Sequence, residues 1–207
     1  MNRPIRRIAV VGAGAVGASW ATLFLARGYS VIATDPALGA RIDLEHKIKA
    51  ARQDLARIVG PLEEAIELLE FTPDLEQALW DADFIQESGP ENPEREIRLF
   101  AEMDGAAPAN TIIASSSFPL ITSKVQSASR HPERCLIGYP SDLPHLTSLV
   151  EVVGGVRTSQ EAIRQTMSLY TSIGKTPIHI RMEHAESSGF VMSEGQLPQN
   201  ADARLAC

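Results

Sequence analysis

One stretch constrains this chain more than any other: the β-branched run 7-RIAVVGAGAVG-17, which ends in glycines and opens a helix. Its apolar half reads as a buried parallel strand, and Ala15 to Arg27 as a helix closed by Gly28. Each part of 12-GAGAVG-17 has its own task. Gly12 permits a tight turn, Gly14 lets the backbone approach a ligand, and Gly17 lets the helix pack hard against the strand. Ala15 and Val16 open the first helical turn, whose free N–H groups and positive dipole end suit a pyrophosphate. The next apolar run, 30-SVIATD-35, ends in Asp35. A carboxylate there accepts hydrogen bonds from ribose hydroxyls and repels a 2′-phosphate. The combination is that of a dinucleotide site, and NAD is favoured over NADP.

Strand and helix patterns alternate along the rest of the chain. A charged helix is expected from Leu38 to Val59, broken by Gly60-Pro61, and a second over 62-LEEAIELLE-70. A short strand over 70–73 and a short helix over 74–80 follow, with Asp74 as its N-cap. Strands are expected over 83–88, 111–116, 134–139, 148–153 and 176–180, and helices over 94–104, 121–128 and 159–173. Such alternation means βαβ units. The expected fold is α/β, a doubly wound, mostly parallel Rossmann sheet over residues 1–181, with a weakly structured tail over 182–207. The 207 residues, 44% of them hydrophobic, suffice for one substantial core. A net charge of −7, with a single basic cluster at 3-RPIRR-7 that reads as a solvated edge, argues against a nucleic-acid surface. The two cysteines, Cys135 and Cys207, have neither metal nor disulfide spacing, so no metal is expected and the setting reads as cytoplasmic. No stretch reads as a signal peptide or a membrane span.

Ligands of a parallel sheet sit outside the carboxyl ends of its strands. Those ends are 87-ESGPEN-92, 115-SSSFP-119 and 138-GYPSD-142. The hydroxyls of Ser115, Ser116 and Ser117 suit a nicotinamide ribose or a substrate oxygen, or else a cap for the following helix. Glu91 reads equally as a ribose ligand or as a helix N-terminal charge. Glu151 lies among Leu149, Val150, Val152 and Val153, which makes it the acid expected to be partly buried and to need a partner. Tyr139, Ser141, Asp142 and His145, on the preceding strand and loop, are the polar groups that could supply it, and Tyr139 and His145 are the candidates for proton transfer.

Taken together, 12-GAGAVG-17, 87-ESGPEN-92, 112-IIASSS-117, 132-PERCLIGYP-140, 149-LVEVVGG-155 and 174-GKTPI-178 resemble the NAD-binding domain of the 3-hydroxyacyl-CoA dehydrogenase family. The wording is nearest to its L-carnitine dehydrogenase and lambda-crystallin branch. The resemblance implies hydride transfer from a secondary alcohol to NAD, with a histidine taking the hydroxyl proton and a glutamate orienting it. A serine and an asparagine hold the substrate oxygen. Glu151 matches the glutamate. The histidine position holds Tyr139, the asparagine position Asp142 and the serine position Phe118, with Ser117 adjacent; a family lysine position holds Glu96. A phenol serves as a base near neutral pH where a neighbouring cation lowers its pKa from about 10, and His145 is the one imidazole in the loop that can substitute for it. His145 otherwise reads as a surface loop residue. The resemblance also implies a C-terminal helical domain that this sequence does not contain after 189-GFVMSE-194, and hence a homo-oligomer or partner subunit covering its place. The substrate class implied is a hydroxyacyl-CoA or hydroxy acid. A catalytically impaired NAD-binding module, acting as sensor, scaffold or partner subunit, is the alternative that the departures imply.

Overall fold

The computed structural model describes residues 4–59, 66–90, 92–117 and 126–180. Its sheet has eight strands: β1 (Arg7–Val11), β2 (Ser30–Thr34), β3 (Leu69–Thr72), β4 (Phe84–Glu87), β5 (Ile112–Ser115), β6 (Cys135–Pro140), β7 (Leu149–Gly154) and β8 (Thr176–Ile180). They run in the order β3-β2-β1-β4-β5-β6-β7-β8. All neighbouring pairs are parallel except β6–β7, which is antiparallel. The order reverses between β1 and β4, the point at which such sheets bind ligands. This is the mostly parallel, doubly wound sheet that the alternating pattern implies.

Among the described residues, α1 (Ala15–Leu25), α2 (Ala40–Val59), α3 (Leu75–Leu79), α4 (Pro93–Ala106) and α5 (Gln160–Ser172) cover it. The two-residue strand period divides the core into two layers. Ile8, Val10, Val31, Phe84, Ile112, Leu136, Val150 and Val152 pack toward α1, α2 and α5. Ala9, Val11, Ile32, Ile85, Ile113 and Cys135 pack toward α3 and α4. Burial on both faces explains why the central strands read as continuous apolar runs.

Aromatic contacts lock α1 to α5. Trp20 stacks on Tyr170 at 5.1 Å between ring centroids, and on Phe24 at 5.7 Å. The Tyr170 hydroxyl reaches through the layer to donate to Gln86 Oε1 at 2.7 Å, and burial pushes that phenol far up from its ordinary pKa. It occupies the space in front of Gly138, where an added Cβ would lie 2.0 Å from the hydroxyl oxygen. Trp20 Nε1 and Gln86 Nε2 both donate to Ser116 Oγ, at 3.0 and 2.9 Å, and Ser88 Oγ lies 2.9 Å from it.

The expected helix over 62–70 does not run through its last residues. Ile66–Leu68 is a single 3₁₀ turn, and Leu69 and Glu70 already belong to β3. The β2 ladder, pairing Val31 with Leu69 and Ile32 with Glu70, outweighs the helical pattern there; residues 60–65 lie outside the described residues. Asp74 caps α3 as expected, accepting from Gln77 N at 3.1 Å. Of the helix expected over 121–128, residues 126–128 are described and helical. Arg7, in the basic cluster read as a solvated edge, is ion-paired with Glu70 and with Asp81, each at 2.9 Å. The tail over 182–207, with Cys207, lies outside the described residues, while Cys135 is buried and unpaired.

Candidate active site

The turn after β1 is built from backbone. Gly12 has φ +101°, a conformation side chains rarely adopt, and a Cβ on it would lie 2.7 Å from Ser88 O. Gly17 has no room either: an added Cβ would lie 1.9 Å from Gly12 O, so α1 crosses β1 at contact distance only without one. Gly14 differs, with nothing within 4 Å of its would-be Cβ. Gly14 is the N-cap of α1, no side chain caps that end, and no acid stands in the first turn formed by Ala15, Val16 and Gly17. The helix therefore offers free N–H donors to an open space, the requirement of a bound pyrophosphate.

Asp35 stands beside this opening, half-buried at the end of β2. Its Oδ2 accepts from Ala13 N and its Oδ1 from Ala37 N, both at 2.9 Å. Each oxygen keeps a lone pair for a further donor, which suits a ribose diol. Lys47 on α2 donates to Ala13 O at 3.1 Å, placing a cation against the glycine turn. Leu38 and Ile42 lie just beyond Asp35 with relative exposures of 104% and 59%. Two bare apolar side chains there make a surface on which a flat aromatic base can lie. Sequence reading missed Lys47, Leu38 and Ile42, because within a charged helix their only signal is exposure, which a sequence does not display.

The ends of β4 and β5 hold a different chemistry. Glu87 and Glu96 are 2% and 3% exposed, and Ser115 is fully buried between them. Ser115 Oγ lies 2.5 Å from Glu87 Oε2 and 3.2 Å from Glu96 Oε1, and accepts from Ser117 N at 3.0 Å. Glu87 Oε1 accepts from Gly89 N at 2.5 Å. Burial raises the Glu87 carboxyl to about 7, against the hydrogen bonds from Ser115 and Gly89. Of the serine run, then, Ser115 ties the two acids together, Ser116 joins the Trp20–Gln86 network, and Ser117 is buried just past the strand. Glu91 and Phe118 lie outside the described residues.

Tyr139 and Glu151 are direct partners across the antiparallel β6–β7 ladder, so their side chains share a face. Both are half-buried. On β8 the register partner of Glu151 is Ile178, which is exposed, as is Ile180 two residues along. Strand alternation puts Tyr139 opposite to Gly138, on the side of the sheet that carries Glu87, Ser115 and α4. Asp142, in the loop after β6, accepts from its neighbour Leu143 N at 2.6 Å and is exposed.

His145 is not the surface residue that its loop position suggests, being 7% exposed. Its Nδ1 lies 2.7 Å from Ser19 Oγ on α1, and its own N–H donates to the same hydroxyl at 2.8 Å. Nε2 lies 3.8 Å from Asp54 on α2. Burial depresses its pKa, with Asp54 opposing. The imidazole thus fastens the 141–148 loop to α1 and α2, on the face away from Tyr139. Lys175 completes the fastening, donating to Pro144 O and, at 2.6 Å, to Thr147 O. Burial lowers that ammonium to about 8, with Arg27 adding to the shift. Among the described residues no group of His, Cys, Asp and Glu could hold a metal ion, and no helix is long and apolar enough to cross a membrane.

Residues 7–183 match the model of the family described as 3-hydroxyacyl-CoA dehydrogenase, NAD binding domain. The chain is 40% identical over 179 residues to the L-carnitine dehydrogenase of Pseudomonas aeruginosa, covering 86% of this chain and 56% of that protein. It is 39% identical over 204 residues to the 3-hydroxyacyl-CoA dehydrogenase of Gibberella moniliformis, covering 98% of this chain and 62% of that one. Among solved structures, a diketoreductase superposes with a TM-score of 0.83 at 24% identity over 88% of this chain and 66% of its own, a likeness of fold. The chain spans little more than half the length of the curated relatives it matches.

Proposed function

The chain belongs to the 3-hydroxyacyl-CoA dehydrogenase family through its NAD-binding domain, and on that premise we propose that it is the cofactor-binding part of an NAD-dependent dehydrogenase acting on a secondary alcohol. The substrate class is a 3-hydroxyacyl-CoA or a 3-hydroxy acid, the chemistry named in the relatives. One observation carries the reading: an uncapped α1 N-terminus facing open space at Gly14, with Asp35 beside it. NAD bound there supplies a hydride acceptor at its nicotinamide ring.

The chain's own groups divide the remaining work. The N–H groups of Ala15, Val16 and Gly17 hold the pyrophosphate, and Asp35 holds the adenosine ribose. Glu91 belongs to this cofactor set by its place in 87-ESGPEN-92, while Ser115, fully buried between Glu87 and Glu96, supports it from beneath. Tyr139 is the proton-transfer candidate and Glu151, across the ladder, its charge partner. Ser117 and Asp142 flank the substrate oxygen. The proposed unit is residues 1–181, in a cytoplasmic setting, with a homo-oligomer or partner subunit over the face of β7 and β8; the exposed Ile178 and Ile180 support that cover.

Calorimetric titration with NAD and NADP tests the cofactor reading. Micromolar NAD binding with at least a tenfold preference over NADP is expected, and absence of NAD binding to folded protein overturns it. Initial rates with carnitine, 3-hydroxyacyl-CoAs and 3-hydroxy acids test the dehydrogenase reading. The fastening of His145 to Ser19 and Asp54 favours a second reading, an NAD-binding module without turnover, because it leaves the substitute imidazole turned away from Tyr139. NAD binding with no turnover on any of these substrates supports the module.

A further inference from the structure

The buried pair Glu87 and Glu96 is not absorbed by the reading above, and its hydrogen count is informative. A serine hydroxyl has one hydrogen and two lone pairs. At Ser115 one lone pair takes Ser117 N–H, and the short 2.5 Å contact assigns the hydrogen to Glu87. The contact to Glu96 Oε1 at 3.2 Å then has no hydrogen unless Glu96 supplies it. With both acids ionised, two negative charges face one another in a buried layer across an oxygen–oxygen contact. One added proton closes the network, with neutral Glu96 donating to the second lone pair of Ser115. The other oxygen of Glu96, Oε2, is buried with no hydrogen-bond partner among the described residues, which a neutral carbonyl tolerates better than an ionised carboxylate does.

The location gives this proton a consequence. Val11, Glu87 and Ser115 stand side by side at the ends of β1, β4 and β5. Ser88, the next residue, packs on Gly12 of the glycine turn. If the adenosine binds at Asp35 and the pyrophosphate at the end of β1, the ends of β4 and β5, with Glu87 and Ser115, would be left to hold the nicotinamide half. We propose that Glu87 and Glu96 hold one proton between them, and that their single net negative charge beneath the nicotinamide end makes the site prefer the cationic oxidised ring over the neutral reduced one. The charges bearing on Glu87 are Glu96 and Arg95, both on α4; β1 and β5 bring Val11 and Ser115, which carry none. The inference rests on the cofactor reading for its second half, while the shared proton belongs to the ligand-free protein.

Infrared difference spectra of the ligand-free protein test the proton. The wild type should show the carbonyl stretch of a protonated carboxyl at neutral pH, and Glu87→Gln/Glu96→Gln should lose it. Binding of oxidised and reduced cofactor tests the charge. Glu96→Gln leaves Glu87 as the one acid of the pair, so its preference should rise with pH through about 7 as Glu87 ionises. Glu87→Gln/Glu96→Gln removes that charge and should lower the oxidised-to-reduced preference about fivefold or more. In the wild type the preference should also rise with pH as the shared proton leaves, a rise absent in the double variant. The wild-type pH series needs no variant that must refold around two substitutions. Absence of the carboxyl band overturns the shared proton, and an unchanged preference in the double variant with no rise in the wild type overturns its consequence. Wild-type protein that binds neither cofactor form overturns the cofactor reading instead, and the carboxyl band still decides the proton.

Discussion

The two ends of the sheet differ in what their geometry is made of. At β1 and β2 the site consists of backbone: a positive-φ glycine, a glycine without room for a Cβ, and the free N–H groups of α1. At β6 and β7 it consists of side chains on an ordinary antiparallel ladder, with Tyr139 opposite Glu151. A backbone site survives only if its glycines survive. A ladder accepts nearly any pair, so its chemistry can change while the fold stays. That asymmetry lets a cofactor site of familiar form coexist with a proton-transfer position held by a phenol.

The largest effect should come from filling the backbone end. Gly17→Val forces a side chain into Gly12 O, where the first atom alone would stand at 1.9 Å. A loss of about 3 kcal/mol or more is expected, with NAD binding undetectable in whatever still folds. Thermal melts and titration check it; a variant that melts and binds as wild type breaks the claim that this end is fixed by backbone. Asp35→Ala comes next. It removes the acceptor of Ala13 N and Ala37 N together with the ribose ligand, so NAD affinity should fall by about tenfold to a hundredfold and discrimination against NADP should shrink.

The ladder end should respond in the opposite sense, with binding intact and chemistry altered. Tyr139→Phe keeps the ring and the β6–β7 pairing but removes the phenol oxygen. If the phenol transfers the proton, kcat should fall about a hundredfold while the NAD dissociation constant stays within twofold. Tyr139→His should raise turnover, since an imidazole beside Glu151 titrates near neutral pH. If neither substitution moves the rate, Tyr139 has no part in proton transfer.

The same asymmetry governs what can be read before a structure exists. The glycine turn, Asp35 and the strand runs are local, so spacing alone identifies them. The serine run is also local, but its roles are not: Ser115 and Ser116 look interchangeable and point to opposite layers, one to two acids and the other to Trp20 and Gln86. His145 depends on Ser19, 126 residues away, and a loop with one histidine carries no trace of such a partner. Leu69 and Glu70 fit a helical pattern and fold as strand because β2 offers them a ladder. Contacts of long sequence separation decide each of these.

The smallest expected effects concern pH, and they oppose one another across the sheet. Burial lowers the pKa of His145, so below about 6.5 the unfolded chain takes up a proton that the folded one resists. Stability should therefore fall as pH drops through that range. Glu87 behaves in reverse, its carboxyl raised from 4.5 to about 7 in the fold. Between those values the folded state holds the proton more tightly, so its contribution is full below the lower value and is lost as pH rises through about 7. Denaturant titrations from pH 5 to 8 should give His145→Gln a weaker acid-side loss than the wild type, and Glu87→Gln a weaker loss as pH rises toward about 7. Identical profiles in all three proteins would mean that neither group changes its proton affinity on folding.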